Sequence, residues 1–152
     1  MAVRGSFNKI LALTGTILAW FPLLFPLFLS IIFYLARGML HFDYLMPAEL
    51  FPLALLGAVL LLWAALRTWI HRKAIALSMA AAIVFFLGMN IIALFTGLAS
   101  GTTEPSGWPW ILVHLALLCY TLSLLVLAIL GLLLFRQIAS DSNNPPPPVG
   151  KD

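Results

Sequence analysis

Charge is what this chain has least of. Only 9% of its 152 residues are Asp, Glu, Lys or Arg, while 63% are hydrophobic. A soluble domain carries about 25% charged residues, so this chain has too few to clothe a water-facing surface. Cysteine is almost missing too. Cys119 is the single one, which excludes an internal disulfide and any CxxC redox or paired-thiolate metal chemistry. Within an apolar run it reads as a small buried hydrophobe. The third absence is the most restrictive. Apart from Glu49 in the first turn of the second, no Asp, Glu, Lys or Arg interrupts the four long apolar runs. Proton-coupled carriers and membrane aspartic peptidases work with a charge held at depth, and that group is missing. Uncoupled conduction is not touched by this argument.

What is present is oil in long stretches, with a mean hydropathy of +1.10. The pI of about 9.4 comes from Lys and Arg scattered singly, which makes no basic patch for nucleic acid. They read instead as topology signals. The densest cationic stretch inside the chain is 67–73, with Arg67, Thr68, Trp69, Ile70, His71, Arg72 and Lys73. Apolar runs flank it on both sides, so it splits the chain into two hydrophobic hairpins.

A membrane-crossing helix needs about 20 apolar residues at about 1.5 Å each. The runs predict an all-α, polytopic membrane protein with spans at about 10–36, 47–66, 74–98 and 108–135. Residues 1–9 form a short polar N-terminus and 10–139 the transmembrane unit. Residues 140–152, with Pro145 to Pro148 in a row, form an extended, disordered tail. The first run is too long for the apolar core of a secretory signal and reads as a retained anchor. Pro22 and Pro26 kink it. Being four apart, they share a face with Gly15, Ala19 and Ser30. Met46, Pro47, Ala48 and Glu49 read as the start of the second helix. Thr96 to Gly107, rich in Gly, Ser and Thr, reads as a loop.

With both termini and the central turn on one side, Arg4, Lys9, Arg67, Arg72, Lys73, Arg136 and Lys151 gather there and Arg37 alone faces them. That split satisfies the positive-inside rule with cytoplasmic ends. Tyr34, Tyr44, Trp108 and Trp110 then form an outer aromatic belt. Small residues recur along the spans: Ala54, Gly57, Ala58 and Ala64; Ala74, Ser78, Ala81 and Gly88; Thr121 and Ala128. Such stripes let helix backbones approach where lipid supplies no hydrophobic drive. They predict an antiparallel four-helix bundle, in which the neighbour is either in the same chain or in another.

Chemistry has few places to sit. The outer-face cluster Arg37, His41, Asp43, Glu49, Glu104 and His114 mixes ligand and acid–base types, without the spacing of a known metal motif. His114 is the one histidine within a span, a turn or two below Trp108 and Trp110, and shares a face with Thr121. A packing histidine bonded to a neighbour accounts for it; ligation of haem or metal is the sharper alternative. Asn90, in the outer half of the third span, needs a partner in hydrocarbon, such as His114 or a backbone carbonyl. Arg67, Arg72 and Lys73 serve as topology determinants, too few for a lipid-specific cluster. No cofactor is implied. The sequence leads to an accessory or self-associating membrane subunit without catalysis of its own, partnered by the bilayer and by a second copy or larger complex. The alternatives are an uncoupled channel, with the kinked helix and Asn90 as its lining, and an outer-face metal or haem enzyme.

Overall fold

A computed structural model of the chain describes residues 2–37, 50–101 and 106–143. They form four helices: α1 (Ala2–Arg37), α2 (Phe51–Thr68), α3 (Arg72–Phe95) and α4 (Gly107–Asn143). No strand occurs among the described residues. All four helices are long and apolar enough to cross a membrane. A helix bonds each backbone N–H within its own segment, which is the condition for an apolar run in lipid. At about 1.5 Å per residue, α1, α3 and α4 are each longer than the roughly 30 Å of a hydrocarbon core, so a bilayer would hold them tilted or with ends projecting.

The helix ends follow from local chemistry. α2 opens with proline in its first turn, where a missing N–H costs nothing. It stops at Trp69, whose φ is 63°, and α3 resumes after His71, whose φ is 50°. Neither residue is glycine, so this turn carries backbone strain. α3 ends differently. Gly97, with φ 75°, donates its N–H to Leu94 O at 3.3 Å, and Ala99 N–H reaches Ala93 O at 2.9 Å. That is a glycine-closed helix end of the usual kind. The expected second-helix start at Met46 to Glu49 lies outside the described residues.

α1 packs along both α2 and α4, and α3 packs chiefly along α4, whereas α2 and α3 share little. Glycine sets the closest approaches. A Cβ on Gly15 would lie 2.9 Å from Leu61 Cγ and 3.1 Å from Gly57 O. One on Gly57 would lie 2.9 Å from both Ala19 N and Leu18 Cβ. On Gly131 it would meet Thr16 Oγ1 at 2.8 Å and Leu61 Cδ1 at 2.9 Å. Leu61 is thus a knob from α2 held between glycines of α1 and α4. Around it Ala12, Ala19, Ala64, Ala65, Leu127 and Ala128 are fully enclosed. Small residues bring the backbones together and one leucine fills what remains.

The proline face of α1 turns inward: Gly15, Ala19, Pro22, Pro26 and Ser30 are all buried. The small residues of α2 are buried too, namely Ala54, Gly57, Ala58 and Ala64. Those of α3 are not. Ala74 is exposed, Ser78, Ala81 and Gly88 are half-buried, and a Cβ on Gly88 would meet nothing within 4 Å.

Candidate functional site

Two loci came forward from the sequence, an outer polar cluster and the intramembrane pair Asn90 and Thr121. Of the cluster, Arg37 closes α1 and His114 lies on α4. His41, Asp43, Glu49 and Glu104 lie outside the described residues, as does Tyr44. Their convergence on His114 therefore remains an expectation. Among the described residues no three His, Cys, Asp or Glu side chains group closely enough to share a metal ion.

His114 is half-buried and anchored locally. Its Nδ1 lies 2.9 Å from Trp110 O, one turn back on the same helix. Its ring sits 3.8 Å from the Trp110 ring, tilted by 34°. A carbonyl only accepts, so Nδ1 carries the proton; in a neutral ring Nε2 is then the acceptor. The backbone bond and the indole together fix the ring, which is the behaviour of a packing histidine.

Four other polar side chains in the spans act alike. Thr121 Oγ1 donates to Leu117 O at 2.9 Å and Ser123 Oγ to Cys119 O at 2.8 Å. Thr16 Oγ1 donates to Ala12 O at 2.6 Å, and Asn90 Nδ2 to Phe86 O at 2.8 Å. Each reaches the carbonyl four residues back, the cheapest partner for a short polar side chain in oil. Asn90 finds a backbone carbonyl rather than His114, and that carbonyl belongs to its own helix. The residue itself is exposed, not sheltered between α3 and another helix of the chain.

One buried polar group, that of Tyr120, was not singled out in the sequence. Tyr120 is fully enclosed and its hydroxyl has no hydrogen-bond partner; neither has buried Ser30 Oγ. The Tyr120 ring lies 6.3 Å from that of Phe51 and 5.7 Å from that of Phe86. Those two stack on each other at 3.7 Å. A tyrosine well inside an apolar run was the available signal. It is masked because Tyr is ordinarily read as an interfacial residue.

Beside the two prolines lies a groove of about 280 Å³ between α1 and α4, lined by Trp20, Pro22, Leu23, Pro26, Thr121 and Leu125 among others. Pro22 and Pro26 lack the N–H groups that Leu18 O and Pro22 O would otherwise accept. The one hydroxyl in the wall, on Thr121, already donates to its own helix. No nucleophile, acid or base lines the groove. Its wall is almost wholly apolar.

At the α2–α3 turn the cations rest on aromatic faces. Arg67 Cζ lies 5.2 Å from the centre of the Phe7 ring and Arg72 Cζ 4.0 Å from that of Trp69. Such contacts shelter the guanidinium stems against apolar surface while leaving the charge partly solvated. Compared with family models, with curated proteins and with solved structures, the chain matches none.

Proposed function

We propose that this chain is a non-catalytic membrane subunit, working by helix–helix association either with copies of itself or as an accessory in a larger complex. The observation that carries this reading is the packing at Leu61. Its side chain is fully enclosed between Gly15 and Gly131, so the middle of the bundle is filled by side chains and offers no aqueous lumen at that level. The prolines that invite a channel reading are buried against α4. Asn90, the other candidate lining residue, is exposed and bonded to its own helix.

The fold in this proposal is an antiparallel four-helix bundle in a plasma or inner membrane, with both termini cytoplasmic. Its support is the pairing of Gly15 with Leu61 and of Leu18 and Ala19 with Gly57, continued by Arg67 over Phe7. Residue numbers rise along α1 as they fall along α2, the pattern of two helices joined by a hairpin. The test combines native mass in mild detergent with ion and solute flux into liposomes holding the purified protein alone. Masses above the monomer, or a co-purifying membrane protein, with tight liposomes are expected. Conduction by the purified chain would overturn the reading.

A further inference from the structure

We infer that α3 pairs with the α3 of a second copy of this chain, with the Asn90 side-chain amides meeting across a two-fold axis along the membrane normal. This rests on the self-associating form of the function proposed above and names its contact. Asn90 lies between six and seven positions past the midpoint of Arg72–Phe95, which is about 10 Å along the helix axis. The half-thickness of a hydrocarbon core is about 15 Å, so the amide sits roughly 5 Å inside it. It is exposed there, among Leu87, Ile91 and Leu94, which are 50%, 52% and 71% exposed.

An asparagine amide has two donor hydrogens and an acceptor oxygen. Among the described residues its one hydrogen bond is from Nδ2 to Phe86 O. The second hydrogen and Oδ1 are left facing oil, where an unmet polar group is costly. An acyl chain answers neither. Another amide answers both, because donor and acceptor exchange reciprocally. A two-fold axis along the normal brings equal depths together, so the amide that arrives at this level is Asn90 of the second copy.

The rest of the face fits that occupant. Leu77, Ala80, Val84, Leu87, Ile91 and Leu94, all exposed, recur at alternating steps of three and four, the spacing that keeps one helix stripe against another, and Asn90 stands beside that stripe between Leu87 and Leu94. Ala80 lets the backbones close toward the end near Arg72, while one polar residue on such a seam fixes register. α3 is also the span its own chain covers least. Only 17% of its most apolar window is buried, against 29%, 33% and 33% in α1, α2 and α4.

Replacing Cys119, the only cysteine, by serine gives a background for oxidative cross-linking in vesicles at low protein density. Leu87→Cys and Leu94→Cys are expected to give disulfide-linked dimers. Leu115→Cys, on α4 and 53% exposed, is expected to give none. By energy transfer between labelled copies, Asn90→Leu should weaken association about three- to thirtyfold, the range measured for hydrogen bonds between membrane helices. Asn90→Gln should keep most of it. Asn90 is exposed, so neither change disturbs the fold of one copy. Equal cross-linking at position 115 would overturn the inference. Undiminished association of Asn90→Leu would overturn it while leaving self-association intact. A strictly monomeric wild type would overturn both, leaving the accessory role to the flux and co-purification measurements.

Discussion

At the residue scale, glycines of one sequence type do opposite jobs. Gly57 is packed so closely that a methyl group would strike the Ala19 backbone nitrogen and Leu18 Cβ, both at 2.9 Å. Neither is the loose end of a side chain, so α1 and α2 would have to part. Gly57→Ala is expected to destabilise the fold by about 1–3 kcal/mol, the usual cost of overpacking. Gly88→Ala meets nothing within 4 Å and improves helix propensity. It should be neutral or mildly stabilising. Unfolding in a graded SDS titration measures both, and equal destabilisation by the two variants would show that helix propensity, not close approach, governs these positions. The sequence pointed to both glycines as members of small-residue stripes. It gave no means of telling which stripe had a partner in the same chain. The spacing of small residues states that a helix can be approached, and is silent about whether one comes.

At the element scale, the α2–α3 turn was legible in its charge and not in its shape. Arg67, Arg72 and Lys73 mark an interface, and Arg67 and Arg72 rest on aromatic rings there. Nothing in the stretch 67–73 signals that Trp69 and His71 adopt left-handed backbone, because that conformation is normally announced by glycine or asparagine. At the other described turn the announcement is honoured, with positive φ at Gly97, Gly101 and Gly107. His71 is exposed, so His71→Gly removes the left-handed penalty without a loss of packing. A gain of about 0.5–1 kcal/mol is expected after the extra freedom of the unfolded glycine is allowed for. Thermal unfolding in detergent checks it, and a fall in Tm would show that the imidazole contributes more than the strain costs. The proline face of α1 was readable as a shared face, though not in where that face would point. A spacing of four puts Pro22 and Pro26 on one face, and the structure turns that face inward with Gly15, Ala19 and Ser30. The outer polar cluster was readable only as composition. A loop has no period from which convergence in space can be worked out, and most of its members fall outside the described residues.

At the scale of the whole molecule, the four apolar helices leave the direction of crossing to be decided by charge. Seven of the eight basic residues fall on the side of the termini and the 67–73 turn if the chain crosses an even number of times. That distribution is the quantity the insertion machinery reads. Ser106, just before α4, and His71, between α2 and α3, are both exposed and lie at opposite ends of α3 and α4. In the Cys119→Ser background, Ser106→Cys should react with a membrane-impermeant maleimide on intact cells. His71→Cys should react only after the membrane is opened. If the two reactivities were exchanged, the crossings would stand and the orientation would be inverted, so that the basic turn faced outward. If both residues reacted from one side, α3 and α4 would not each cross the bilayer. The positive-inside argument would then lose its object, and so would the outer cluster, since Glu104 belongs to the loop that carries Ser106.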